Sequence, residues 1–159
     1  MPVTLENQTN SQSKVAISSD GVEIHYKIYG TGEPTLVFVH GWCCDKSYWK
    51  EQIPYFSKSY RMVLIDLAGH GESGLNRKDW TMELFGEDVA CVAKKLGITK
   101  IVLIGHSMAG QVILEAARWL PNVIGIIFVD AFTDFAQDDL GQFIGLMQKD
   151  FQNSVIQFV

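Results

Sequence analysis

The fold of this chain is decided by the stretch Lys100-Ile101-Val102-Leu103-Ile104-Gly105-His106-Ser107-Met108-Ala109-Gly110. Residues 101–104 are apolar and mostly β-branched, which predicts a strand that is buried on both faces. A helical pattern follows at once, because apolar residues recur at steps of three and four over residues 108–117. A single serine, Ser107, therefore lies in the tight turn between a buried strand and a helix.

The turn at Ser107 has the properties of a nucleophile site. A sharp bend between a strand and a helix needs small residues around it, and Gly105, Ala109 and Gly110 provide them. Such a bend exposes the serine hydroxyl above the sheet, at the positive end of the helix. The backbone N–H of Met108 would there face an incoming carbonyl oxygen. The alternative is an ordinary strand-to-helix turn in which the serine caps the helix.

Composition and charge exclude several classes of protein. The chain has 159 residues, of which 47% are hydrophobic and 19% charged, enough for one globular domain with a core. A net charge of −5 without a basic run argues against nucleic acid or a membrane surface as a partner. No apolar run reaches the ~18 residues that a transmembrane helix needs. The polar segment 1–14 lacks a signal-peptide pattern and is predicted to be a flexible tail.

The three cysteines are Cys43, Cys44 and Cys91. An odd, small number without framework spacing fits a reducing compartment, so a cytoplasmic location is the default expectation. The adjacent pair Cys43 and Cys44 is not a zinc pattern. We expect both to pack as small buried hydrophobic residues, and modifiable thiols are the alternative.

Strand and helix patterns alternate along the chain. Asp20-Gly21 predicts a hairpin between two short strands. Strands are predicted at 15–19, 22–29, 35–39, 61–65, 101–104 and 123–129, and helices at 48–56, 81–96 and 108–120. This alternation predicts an α/β fold with a mostly parallel sheet and crossover helices, entered through the antiparallel hairpin.

Polar residues follow four of the predicted parallel strands: His40-Gly41-Trp42, the segment 66–73, Ser107 and Asp130. Chemistry in such sheets gathers at the carboxyl ends of the strands, which meet at one edge. We therefore expect these four segments to lie together, which favours a nucleophile over a helix cap at Ser107.

The same motifs resemble those of the α/β-hydrolase family. Residues 105–110 are similar to its small-x-Ser-x-small nucleophile elbow, with Ala109 in place of the usual last glycine. His40-Gly41-Trp42 resembles the His-Gly-x turn after the third strand. Asp66-Leu67-Ala68-Gly69-His70-Gly71-Glu72-Ser73 resembles the D-x-x-G-x-G-x-S turn of the lid-bearing branch, which we interpret as architecture. The resemblance is strong over residues 15–132 and loose over 133–159.

The resemblance implies a catalytic apparatus. Ser107 would be the nucleophile, and the backbone N–H groups of Met108 and Trp42 would bind the oxyanion. Gly41 would let the backbone approach the substrate, and His40 and Gly41 are both assigned to the pocket, although simple turn geometry also explains them. The implied reaction is hydrolysis of an ester, amide or similar carbonyl bond in a small apolar molecule, without metal or organic cofactor. A serine nucleophile argues against the dehalogenase and epoxide hydrolase branches, which use an aspartate.

Two residues beside the nucleophile have weaker assignments. His106 precedes Ser107, but the sharp elbow should point its side chain away, so we assign it to packing or to the pocket. Asp130 ends the sixth strand and is a candidate acid. Because Asp130 has no histidine to orient, a role as a helix cap is the favoured interpretation of this residue.

The catalytic base is missing from its expected place. The family order is Ser, then Asp or Glu, then His, whereas all four histidines of this chain precede Ser107. We therefore expect the N-terminal part of a longer hydrolase, with a sheet that ends before the family's last strands and an open apolar edge at residues 124–129. We also expect this chain alone to be inactive as an esterase.

The expected organisation is a flexible tail (1–14), part of the hydrolase core (15–132) and the start of a helical lid (133–159). A crossover helix packed on the sheet is the alternative for residues 133–159. Two rival functions stay open: a cofactor-free haloperoxidase or acyltransferase at the same site, and a non-catalytic ligand-binding protein that lacks the base.

Overall fold

A computed structural model describes residues 12–131 of the chain. Its strands are β1 (Lys14–Ile17), β2 (Glu23–Tyr29), β3 (Thr35–Val39), β4 (Met62–Ile65), β5 (Ile101–His106) and β6 (Val123–Val129). Its helices are a 3₁₀ helix (Lys46–Gln52), α1 (Ile53–Phe56), α2 (Met82–Lys95) and α3 (Ala109–Trp119). The predicted lid at 133–159 and residues 1–11 of the predicted tail lie outside the described residues. None of the helices within 12–131 is long and apolar enough to cross a bilayer.

The strands form one sheet in the order β1-β2-β4-β3-β5-β6. The neighbouring strands β4, β3, β5 and β6 run parallel to one another. The hairpin β1–β2 is added at the β4 side, where β2 pairs antiparallel with β4. The α/β fold predicted from the sequence is thereby confirmed. β5 is two residues longer than the apolar run 101–104, because Gly105 and His106 continue the ladder opposite Phe128 and Val129.

Helices cover both faces of the sheet. On one face α2 and α3 bury the larger apolar cluster, and Thr81 begins α2 by accepting a hydrogen bond from the Leu84 N–H. On the other face Trp49 of the 3₁₀ helix packs on Phe38, with ring centroids 5.1 Å apart. The single helix predicted at 48–56 is instead a 3₁₀ helix followed by one α-turn. Pro54, at the start of α1, has no N–H for an α-helical bond to the turn before it.

β6 forms one edge of the sheet, and no strand within residues 12–131 pairs with its outer side. Four large apolar side chains of β6 are exposed: Ile124, Ile127, Phe128 and Val129. This is the open apolar edge that the sequence predicts. Because the edge lies next to β5, it borders the turn that carries Ser107.

Candidate active site

The four polar segments meet at one edge of the sheet. The strands that precede them are neighbours in the order β4-β3-β5-β6 and run parallel, so their carboxyl ends lie side by side. This arrangement brings the turns after β3, β4, β5 and β6 together, as the sequence predicts.

Ser107 occupies a strained backbone conformation between β5 and α3. Its φ is +54°, in the left-handed region that residues other than glycine rarely adopt. Its N–H donates to the carbonyl oxygens of Val129 (3.3 Å) and Asp130 (3.2 Å), and its own carbonyl accepts from the Gly110 N–H at 3.0 Å. These three hydrogen bonds hold the serine at the junction of β5, β6 and α3, where strain is typical of a functional site.

Gly105 permits the close approach of β5 and α3 on which the elbow depends. A Cβ at this position would lie 2.6 Å from the Ala109 carbonyl oxygen and 2.9 Å from the Ile113 Cδ1. Ala109 itself is fully buried and its φ is not positive, so one methyl group is accommodated there. Alanine in place of glycine at position 109 therefore does not disturb the turn.

The turn after β3 runs directly against Ser107. A Cβ on Gly41 would lie 3.0 Å from the Ser107 Cβ and 3.1 Å from the His106 Nδ1, so a side chain there would crowd both residues. Trp42 follows Gly41 in this turn with a partly exposed side chain. Met108 precedes the first residue of α3, and within residues 12–131 no acceptor pairs with its N–H. The candidate oxyanion donors thus belong to the two turns that meet at Ser107.

His40 is a buried part of the scaffold beneath this turn. Its side chain is inaccessible to solvent, its Nε2 accepts from the Leu67 N–H (3.2 Å), and its Nδ1 donates to the Gly41 carbonyl (2.7 Å). Both nitrogens are used and the ring is neutral, because burial lowers the pKa of His40 to about 4. His40 therefore joins the turn after β3 to the turn after β4. Its side chain has no accessible surface and does not line the pocket to which the sequence assigned it.

The segment 66–73 is held together by Asp66. The fully buried carboxylate accepts hydrogen bonds from the backbone N–H groups of Lys46 (2.7 Å) and Glu72 (2.9 Å) and from the ammonium group of Lys46. The Ser73 hydroxyl donates to the Asp66 carbonyl at 2.7 Å. These hydrogen bonds agree with the interpretation that the segment 66–73 has a structural role. Sequence reasoning missed Lys46, because a lysine at the start of a helix gives no sign that it is buried.

His106 and Asp130 line a cleft of about 280 Å³, and Ser107 is not among the residues that line it. The His106 ring stacks on Tyr48 with centroids 5.4 Å apart, so it is turned towards the 3₁₀ helix. The other lining residues are Tyr48, Trp49, Gln52 and Val129. Asp130 is exposed and has a φ of +43°. Sequence reasoning missed the 3₁₀-helix residues, whose only signal was the apolar spacing of Trp49.

None of the four histidines serves Ser107 as a base. All four lie within residues 12–131, and none of them hydrogen-bonds the Ser107 hydroxyl there. His25 lies 3.3 Å from the Ser13 hydroxyl, and His70 donates to the Ala68 carbonyl at 2.9 Å. The described residues thus present a candidate nucleophile and candidate oxyanion donors, with no histidine hydrogen-bonded to the Ser107 hydroxyl.

All three cysteines are free, and the expectation that Cys43 is buried is wrong. Cys43 is exposed because it takes a left-handed turn (φ +58°), across which the Cys44 N–H donates to the Gly41 carbonyl at 3.3 Å. Cys44 and Cys91 are half-buried. Partial burial raises the pKa of the Cys43 and Cys44 thiols. Within residues 12–131, no three His, Cys, Asp or Glu side chains are grouped so that they could hold a metal ion.

Known proteins are similar to this chain in sequence and in fold. The chain is 36% identical over 104 residues to a non-heme haloperoxidase of Rhodococcus erythropolis, and the aligned region covers 65% of this chain and 36% of that protein. It is 37% identical over 108 residues to a bifunctional esterase/perhydrolase of Acinetobacter calcoaceticus, covering 66% of this chain and 39% of that protein. Its structure is similar to that of a thermophilic esterase of Thermogutta terrifontis, with a TM-score of 0.77, 28% identity, and 87% and 53% of the two chains covered.

The chain spans between about a third and about half of the length of these proteins. A family model for the alpha/beta hydrolase fold matches residues 34–159, which include every turn at the candidate site. Sequence, sheet order and elbow geometry agree, and the chain belongs to the α/β-hydrolase fold family.

Proposed function

We propose that this chain carries the nucleophile of a serine hydrolase that cleaves an ester, amide or similar carbonyl bond. The observation that carries the proposal is the strained Ser107, held in a left-handed turn against Gly41. The esterase and perhydrolase names of its relatives support the same reaction class. The proposed substrate is a small, largely apolar molecule, since the site adjoins exposed apolar residues of β6.

In the proposed reaction, the Ser107 hydroxyl oxygen attacks the carbonyl carbon and forms a new C–O bond. The N–H groups of Met108 and Trp42 hydrogen-bond the oxyanion that develops. The serine proton passes to a base and then to the leaving group, whose bond to the carbonyl carbon breaks. His106, Gly41 and Asp130 shape the wall of the site.

We propose that the base comes from outside residues 12–131, because within them no histidine hydrogen-bonds the Ser107 hydroxyl. No histidine follows Ser107 in the chain. We therefore expect the chain of 159 residues to have no esterase turnover by itself. A cytoplasmic location without nucleic-acid or membrane partners belongs to the same proposal, supported by three free cysteines and a net charge of −5.

Two other functions have specific support. Cofactor-free haloperoxidase or acyl-transfer chemistry would use the same serine, and one relative is a haloperoxidase. Non-catalytic ligand binding is favoured by a Ser107 hydroxyl that no histidine within residues 12–131 hydrogen-bonds, and by the cleft of about 280 Å³ lined by His106 and Asp130.

The test is covalent labelling with a fluorophosphonate, which reacts with an activated serine. We expect slow labelling of the folded chain at Ser107, acceleration when free imidazole supplies the missing base, and none of this in Ser107→Ala. Ser47→Ala is the matched control, because Ser47 is an exposed serine outside the site.

Other labelling results would contradict either the expected inactivity or the nucleophile role of Ser107. Rapid labelling without imidazole would contradict the expected inactivity, since the chain would then supply its own base. A folded chain that stays unlabelled at high imidazole, or that is labelled equally in Ser107→Ala, would refute the nucleophile role and favour ligand binding.

A further inference from the structure

We propose that Lys46 is a positioning residue for the oxyanion hole: it clamps the loop 40–46 to Asp66 and so keeps the Trp42 N–H beside Ser107. This inference rests on the proposed function, in which the Trp42 N–H binds the oxyanion. The clamp itself is a structural claim that can be tested without activity.

The loop 40–46 is anchored at both ends to the segment that follows β4. At the first end, His40 accepts from the Leu67 N–H and donates to the Gly41 carbonyl. At the second end, the Lys46 N–H and ammonium group both bind Asp66. Trp42 lies between the two anchors, so its backbone cannot shift far unless one of them opens.

The Lys46 anchor is strong because it is both buried and charged. The Lys46 side chain is 9% exposed and the Asp66 side chain 0%. Burial opposes the charged form of Lys46, but hydrogen bonds from its ammonium group to Asp66 and Glu72 outweigh burial, so the pKa of Lys46 is raised. Breaking such a pair leaves a buried charge without its partner, which is far more costly than losing a surface ion pair.

Asp66 cannot follow the loop if the loop moves, because its own position is fixed. The Glu72 N–H also binds its carboxylate, at 2.9 Å. Gly71 adopts a φ of +52°, and a Cβ there would overlap the Asp66 carboxyl group. The tight turn around Asp66 is therefore shaped to hold this carboxylate in place.

The loop between the anchors is also compact. The Cys44 N–H donates to the Gly41 carbonyl across the left-handed Cys43. Asp45 then caps the 3₁₀ helix by accepting from the Ser47 N–H at 2.7 Å. Loss of the Lys46 clamp would release this short unit as a whole, with Trp42 in it.

Hydrogen–deuterium exchange of the folded chain tests the clamp. In Lys46→Met, which keeps the apolar stem, we expect amides of residues 41–46 to exchange at least ~10-fold faster through local opening. Exchange of the β3 and β5 amides should stay unchanged. Lys50→Met is the matched control, because Lys50 is an exposed lysine of the same 3₁₀ helix. Lys46→Arg, which retains the charge, should recover part of the protection.

A second readout connects the clamp to the site. The imidazole-dependent labelling rate of Ser107 should fall in Lys46→Met and be partly restored in Lys46→Arg. If wild-type Ser107 is never labelled but the loop exchanges faster in Lys46→Met, the clamp is real and the proposed function is wrong.

Two results would overturn the inference. Unchanged exchange of the loop in Lys46→Met would show that Lys46 does not position it. Faster exchange throughout the core would show a general contribution to stability instead. Should Lys46→Met fail to fold, Glu72→Gln removes the half-exposed partner alone and should give a smaller, loop-confined acceleration; no acceleration there would also count against the clamp.

Discussion

At the scale of single residues, the site depends on side chains whose chemistry is set by burial. His40 has no accessible surface and uses both ring nitrogens to join two turns. A charged imidazole would lose the acceptor that the Leu67 N–H needs, and its charge would be desolvated by burial. The histidine of the His-Gly-x turn thus acts as a neutral brace in this chain.

This brace predicts a pH dependence of stability. The pKa of His40 is lowered from 6.5 to about 4 in the folded state, chiefly by burial. As the pH falls through this range, the unfolded chain takes up a proton that the folded chain does not, so the free energy of unfolding decreases. The contribution of His40 is complete above pH 6.5 and is lost towards lower pH by at most ~1.4 kcal/mol per pH unit.

Urea unfolding at several pH values checks this expectation, with His40→Asn as the comparison. The destabilisation caused by His40→Asn should be largest near neutral pH and shrink as the pH falls towards about 4. An equal destabilisation at every pH would show that His40 titrates alike in the folded and unfolded chains.

At the scale of elements, the elbow exists because β5 and α3 approach more closely than side chains allow. Gly105 lies at that contact, with the Ala109 carbonyl and the Ile113 side chain against its Cα. Gly125 of β6 is a natural comparison, because a Cβ there would lie 3.7 Å from both Val102 methyl groups, an ordinary contact. Neither glycine has a positive φ, so steric crowding alone distinguishes them.

We therefore expect Gly105→Ala to lower the free energy of unfolding by ~1–3 kcal/mol through overpacking. Gly125→Ala should be neutral or slightly stabilising, because alanine has less backbone entropy to lose. Equilibrium unfolding in urea compares the two variants with the wild type. Equal effects would show that the strand and helix separate easily, and that the elbow does not depend on their contact.

At the scale of the whole molecule, one buried ion network joins parts that are distant in sequence. Arg77, whose side chain is inaccessible, binds Asp88 of α2 (2.5 and 3.1 Å) and Asp20 of the β1–β2 hairpin (2.7 Å). Asp88 also accepts from the Ser18 hydroxyl and from the Ala68 N–H. The network thus connects the hairpin, α2 and the turn after β4.

Removing the cation from this network should destabilise the entire fold. We expect Arg77→Met to lower the free energy of unfolding by ~3–5 kcal/mol, because Asp88 is left as an uncompensated buried charge. Arg118→Met is the matched control: Arg118 pairs with Glu115 on an exposed helix surface and should cost ~0.5 kcal/mol or less.

Thermal and urea unfolding measure both variants. Adding Asp88→Asn to Arg77→Met should restore part of the lost stability, since the buried charge is then gone. Similar small losses in Arg77→Met and Arg118→Met would contradict the role of this network in holding the three parts together.

Much of the fold was predictable because its signals are local. Apolar runs and helical spacing predicted the core strands, and Asp20-Gly21 predicted the hairpin, since the turn conformation depends on adjacent residues. The boundaries were less predictable: Pro54 split one predicted helix, and ladder partners on β6 extended β5. The exposed position of Cys43 was missed, because it follows from how the loop lies on the edge of the sheet.

The sequence alone determined the fold class, the elbow around Ser107 and the lack of a histidine after it, because these depend on residue type and spacing. Only the tertiary structure decided which polar groups are buried and paired. Lys46 with Asp66 and Arg77 with Asp88 are 20 and 11 residues apart, and nothing in their spacing indicates contact. Burial is a property of the assembled layers, so the charges that hold the site in place emerge only when the sheet and its turns come together.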